Sequence, residues 1–141
     1  MHISPLLAPV VALVAWSLVM LVWMAATRFP MLKGRAIPDG ARGADLERSQ
    51  PGPAHWPAHN YSHLMEQPTL FYAIVLALVL MGFDHPINVY LAWGYVGIRI
   101  VHSIVQATIN RVSIRFPLFA LSTLCLIGLT THAAIFLIHR G

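Results

Sequence analysis

An all-α integral membrane protein, a bundle of four transmembrane helices, is the fold this sequence predicts, and three observations carry it. The 141 residues are 57% hydrophobic and only 10% charged, against the roughly 25% charge of an ordinary soluble domain. A soluble fold of this length has neither the interior to hide so much apolar surface nor the charge to solvate the rest. The apolar residues also gather into long runs, each near the roughly 20 residues that cross about 30 Å of hydrocarbon. Finally, the nine Lys/Arg residues lie almost entirely on one side of those runs. The whole chain, residues 1–141, reads as one such domain, without an internal repeat.

Residues 3–27 contain no charged side chain and form the first span. Ala25-Ala26 resembles a signal-peptide cleavage region. The apolar run is nevertheless longer than the usual 7–15 residues and has no basic segment before it, so the span is expected to be retained. Residues 28–62 hold five of the ten prolines and four of the nine glycines. They are expected to be an irregular surface loop. The second span, 65–83, keeps Glu66 and Gln67 at its edge. After the tight turn Asp84-His85-Pro86 comes the third span, 87–109, interrupted by Arg99 and His102. The fourth, 116–138, begins with Pro117 in its first turn, where proline is tolerated.

Seven basic residues fall on the long-loop side: Arg28, Lys33, Arg35, Arg42, Arg48, Arg111 and Arg115. Arg140 stands alone opposite. The positive-inside rule then places the loop in the cytoplasm and both termini across the membrane, which in a bacterium is the inner membrane. This asymmetry explains the basic balance without nucleic acid, and no aromatic–basic interleaving or finger motif supports such a partner.

Ionisable groups at membrane depth are expensive and mark function by default. Arg99, His102, Gln106 and Asn110 follow one another at i, i+3, i+7 and i+11, one narrow stripe at about 100° per residue, with Ser103 beside it. Counted from Ile87 at about 1.5 Å per residue, Arg99 lies about 18 Å along the helix and Gln106 about 28 Å, in the long-loop half. Glu66 opens the second span from the same side, with His63 one turn earlier. Pro68 removes a backbone donor there. Arg28 ends the first span and Arg115 precedes the fourth, so all four helices bring polar groups to one level. Arg99 and Glu66 taken alone could be a neutralising pair between packed helices. The larger group is cationic and suits an anionic ligand gripped by guanidinium forks. Glu66 could accept from a ligand ammonium, so a small zwitterionic peptide with two carboxylates fits. An apolar co-substrate could reach the site from the bilayer.

Other patterns are weaker. His55, His59 and His63 recur every four residues, a spacing compatible with metal ligands on one helix face, but Pro57 interrupts them in a Pro/Gly-rich region. No metal is expected. The single cysteine, Cys125, excludes an internal disulfide framework. There is no HExxH, GxSxG or phosphate-cradling glycine loop.

Two motifs resemble the MAPEG family, the membrane-associated proteins in eicosanoid and glutathione metabolism. One is His63-Leu-Met-Glu66-Gln-Pro68-Thr-Leu-Phe-Tyr72, similar to the opening of the family's second helix in its bacterial form. The other is Arg99-x-x-His102-Ser103 followed by Asn110-Arg111-x-x-x-Arg115. The resemblance covers essentially the whole chain. It implies a homotrimer that binds glutathione as co-substrate between subunits on the cytoplasmic side, through Glu66, Arg99, His102 and Arg115, with His63 and Arg28 as looser matches and Gln106 at the next turn of the stripe. It further implies a thiolate that attacks or reduces a lipophilic electrophile or lipid hydroperoxide. Prostaglandin-synthase-like members carry Tyr where this chain has Gln106, whose amide donates without charge. Thiol activation then falls to Arg115, with Arg111 or Arg28 as substitutes. The rival reading is a non-catalytic member binding a lipid or membrane partner. A small transporter is disfavoured by the lack of inverted repeats and of a discontinuous helix.

Overall fold

The computed structural model describes residues 2–140, all of whose regular structure is helical. Helix α1 spans Leu7–Leu32, α2 Gly43–Ser49, α3 Trp56–Leu64, α4 Pro68–Leu80, α5 Pro86–Thr108 and α6 Val112–Arg140. A single 3₁₀ turn, Pro53–His55, leads into α3. Three stretches are long and apolar enough to cross a membrane: Leu7–Leu32, Pro53–Leu80 and Val112–Arg140. The fourth expected span, residues 87–109, is α5. It has the length but falls outside that set because its inward stripe is polar.

That polarity is tolerable because α5 is the most enclosed of the long helices. It packs chiefly on α6, and also on α3 and α1. Leu13 and Met20 of α1, Phe71, Val75 and Leu78 of α4, Ala92, Tyr95 and Val96 of α5, and Leu126 and Leu129 of α6 form the buried core. The Phe71 and Tyr95 rings stack at 4.5 Å. The opposite faces stay apolar: Val11, Leu18 and Val22 on α1 and Leu121, Leu124 and Ile127 on α6 are exposed. Lipid-facing helices require this inverted exterior, since alkyl chains solvate Leu as well as a protein core does.

Helix ends depart from the expected spans for a common reason. Hydropathy marks the hydrocarbon, whereas a helix continues into the interface. Thus α1 runs past Thr27 through Pro30 to Leu32, and Gln50 Nε2 donates to the Met31 carbonyl at 3.3 Å in its last turn. Helix α6 starts at Val112, so Pro117 lies inside it rather than in its first turn. The carbonyl that Pro117 leaves unpaired belongs to Ser113, which is exposed and open to solvent. The 28–62 segment is not irregular throughout. Its second half winds into the 3₁₀ turn and α3, with Pro53 and Pro57 each at a helix start, where their missing N–H costs nothing. Only 33–52 is a strap, folded around the short helix α2.

Pro68 divides the second span. Its missing donor ends α3 at Leu64 and starts α4 at Pro68, leaving Met65 to Gln67 as a turn. Between α5 and α6 the break is Asn110, left-handed at φ 53°, a conformation Asn tolerates better than most residues. Both chain ends meet the 82–85 turn at the far end of the bundle: His2 lies 3.9 Å from Asp84, and Phe83 stacks on Phe136 at 4.5 Å.

Candidate functional site

The Pro68 break creates the centre of the site. In the turn it opens, the His63 carbonyl accepts from the Glu66 backbone N–H at 3.3 Å and from Arg99 Nη2 at 3.4 Å. Arg99 reaches it from the middle of α5, fully buried. Its Nε and Nη1 are buried without any partner. The alternative of a neutralising pair between Arg99 and Glu66 is not formed. Glu66, its side chain 70% exposed, instead accepts from His63 Nδ1 at 3.3 Å. The turn carries Glu66 outward while α5 holds Arg99 inside.

Three rings surround the guanidinium. His63 and His102 have centroids 5.2 Å apart, and Phe119 of α6 lies 5.6 Å from His63 and 6.4 Å from His102. The Arg99 Cζ sits 5.8 Å from the Phe119 centroid. An aromatic face offsets part of the desolvation of a cation, on the order of 1–2 kcal/mol. That is well short of the several kcal/mol an uncompensated buried ion costs. The cluster therefore leaves part of the Arg99 charge uncompensated within the chain.

Arg115, at the end of the first turn of α6, donates through Nη1 to Asn110 Oδ1, while its Nε is buried without a partner. The residue that breaks the α5–α6 helix also aims this guanidinium. Gln106, one turn beyond His102, is buried, with its Oε1 unpartnered. Thus His63, Arg99 and His102 share one cluster, with Glu66 at its rim and Arg115 and Gln106 towards the long-loop end. Arg28 goes elsewhere within the chain: its guanidinium packs over Gly43 of the strap.

The neighbouring polar residues less visible in the sequence form two chains of support. Asn60 of α3 is fully buried and donates from Nδ2 to Ser103 Oγ, tying α3 to the stripe. Tyr95 donates to Gln67 Oε1 at 3.2 Å, and Gln67 Nε2 donates to Thr123 Oγ1 at 2.9 Å. These bonds fix the broken turn against α5 and α6. Asn60 lies three residues before His63, so helical spacing alone would have placed it on the same face. Gln67 and Phe119 carry no such signal.

The three regularly spaced histidines do not converge. His55 Nε2 donates to the Gln50 carbonyl at 2.7 Å, His59 Nε2 to Glu47 Oε2 at 2.9 Å, and His63 to Glu66. Among the described residues no three His, Cys, Asp or Glu side chains assemble for a metal ion. The His59–Glu47 bond clips the strap to α3. The Glu47 carboxyl is held below its usual range, chiefly by that hydrogen bond, against a smaller opposing desolvation.

A sequence model of the MAPEG family matches residues 6–135, nearly the full chain. No curated protein and no solved structure matches.

Proposed function

This chain belongs to the MAPEG family, and on that premise we propose that it is a membrane-bound, glutathione-using enzyme of transferase or peroxidase type, acting on lipophilic electrophiles or lipid hydroperoxides. The observation that carries the reading is Arg99: a fully buried guanidinium with two unpartnered nitrogens and no carboxylate in contact among the described residues. A glutathione carboxylate supplies the missing anion through charge-assisted hydrogen bonds. Glu66, exposed at the rim beside His63, accepts from the peptide's ammonium. His102 and Gln106 line the same stripe and hold the peptide against α5. Assembly as a homotrimer, with the long loop in the cytoplasm and the termini across the membrane, belongs to the same reading.

Arg115 is the residue we assign to the chemistry. Bound glutathione supplies a thiol, which reacts as the thiolate and needs its pKa lowered towards neutrality. Asn110 keeps the Arg115 guanidinium in place while its Nε stays free, so a positive donor is pre-aimed rather than recruited. The apolar outer faces of the helices let a hydrophobic second substrate approach from the bilayer. One observation favours the alternative of a non-catalytic binder: Gln106 provides an uncharged amide where prostaglandin-synthase-like members carry a tyrosine.

Calorimetry of glutathione with the detergent-purified protein at pH 7 tests the binding. The expected result is binding by wild type that disappears in Arg99→Ala and in Glu66→Ala. No binding to well-folded wild type at millimolar glutathione would overturn the reading. Turnover of a model electrophile by Arg115→Ala separates the two alternatives, since a binder has no turnover to lose.

A further inference from the structure

The strap 33–52 encloses, with the end of α1, a concavity of about 610 Å³. It is separate from the cluster around Arg99, and of its lining residues only Arg28 figures in the glutathione reading, as a looser match. Its floor is Arg28. The Arg28 Nε is buried without a partner, and the guanidinium makes no ion pair with any carboxylate of the described residues. The planar group lies directly on Gly43: a Cβ added there would stand 2.5 Å from Nη1 and 2.6 Å from Nη2. Glycine at position 43 is what lets the guanidinium lie flat against the strap.

The walls are apolar at Leu32, Ile37 and Leu46, and Arg35 stands at the rim in solvent. Two aspartates also line the concavity. Asp45 is already engaged, accepting from the Arg42 backbone N–H at 2.8 Å and lying 3.5 Å from Arg48. Asp39 is at the exposed outer edge. The walls are held in position, because Gln50 is bonded to Met31, His55 to Gln50 and Glu47 to His59. This is an anchored hollow with one half-buried cation in its floor, its Nε buried and unpartnered.

Depth identifies the anion. From Leu7 to Arg28 the helix rises about 32 Å at about 1.5 Å per residue, close to the roughly 30 Å of hydrocarbon in a bilayer. Arg28 therefore lies at the level of the lipid phosphates. An arginine fork suits a phosphate oxygen pair, and Leu32 with the exposed Phe29 of α1 offers apolar surface to the glycerol and first methylenes. We propose that the strap concavity is a binding site for the phosphodiester headgroup of an anionic membrane lipid, with Arg28 on the phosphate and Arg35 at the rim.

The test is thermal unfolding of the full-length protein in neutral detergent, with dihexanoyl phosphatidylglycerol, dihexanoyl phosphatidylcholine or inorganic phosphate added. The expected result is a midpoint rise of several degrees with phosphatidylglycerol and at most a small one with the other two. Gly43→Val keeps the charge but forces the guanidinium off the strap, and Arg28→Gln removes the charge. Both are expected to lose the phosphatidylglycerol shift. Arg35→Gln, a surface change that leaves the packing alone, is expected to lose about half of it and remains readable if the other two fail to fold. An equal rise with phosphatidylcholine, an equal rise with inorganic phosphate, or a shift retained in every variant that folds would overturn the proposal. So would displacement of the lipid by glutathione, which would assign the concavity to the peptide; failure of glutathione to bind elsewhere leaves it standing.

Discussion

The two ends of the bundle both bury polar side chains, but only one end satisfies them. At the end shared by the termini, Asn88 is fully buried and donates from Nδ2 to the Phe83 carbonyl at 3.1 Å. That bond fixes which way its amide points, so Oδ1 accepts from His132 Nδ1 at 2.7 Å. Arg140 covers the Phe136 ring at 5.3 Å, and Phe136 stacks on Phe83. At the long-loop end the guanidiniums of Arg99, Arg115 and Arg28 each keep a buried nitrogen without a partner, and so do Asn60 and Gln106 with their oxygens. A closed network stabilises the fold it belongs to. A set of unpartnered cations costs the free protein stability, a cost that a bound anion would offset under the proposed function.

This contrast predicts that substitutions at the two ends move different quantities. The largest effect is expected on turnover: Arg115→Ala should lower kcat by about 100- to 1000-fold, as removal of one donor to a developing anion does elsewhere, with glutathione affinity changed far less. Steady-state kinetics beside calorimetry reads both. Asn110→Gly tests the aiming of that group. Glycine keeps the left-handed turn while the Oδ1 acceptor is lost, so kcat should fall with the thermal midpoint nearly unchanged. An equal loss of stability would make Asn110 a cap and nothing more.

Next in size is Asn88→Ala. Leaving the Phe83 carbonyl and the His132 ring unpaired should cost about 1–3 kcal/mol of stability, without altering glutathione binding. A change in affinity would erase the distinction between the ends. The smallest effect concerns the strap. Glu47 has a depressed pKa through His59, so its contribution is present above about pH 4.3, the unfolded carboxylate value, and fades as pH falls through the lower folded value. Protease cleavage within 33–52 should therefore rise at acid pH in wild type, and Glu47→Gln should show the fast cleavage already at neutral pH.

How much of this was legible beforehand follows from what each signal measures. The α5 stripe of Arg99, His102 and Gln106, with Ser103 beside it, was readable because a helix repeats every 3.6 residues and the stripe needs no partner to define it; Asn110, read as its last member, instead lies past the helix end in a left-handed turn. The missing donor at Pro68 was readable, but not that it would end one helix and start the next, since no discontinuous helix was expected. The mutual avoidance of Arg99 and Glu66 was not, because it depends on how far the turn swings Glu66 outward. Nor was the destination of Arg28. The strap folds through contacts 12 to 19 residues apart in sequence, such as Glu47 with His59 and Gln50 with Met31, and these leave no periodic trace. The Asn88–His132 pair spans two helices and is equally silent.

The central claim is that Arg99 burdens the free protein in order to bind an anion, and Arg99→Met tests it most directly. Methionine fills a similar volume without charge. Thermal unfolding of both proteins with and without saturating glutathione is the measurement. Wild type should gain about 3 kcal/mol at a hundredfold excess over Kd; the variant should be more stable than wild type when free and should not respond to the peptide. A free variant less stable than wild type, or one that glutathione still stabilises, would contradict the account.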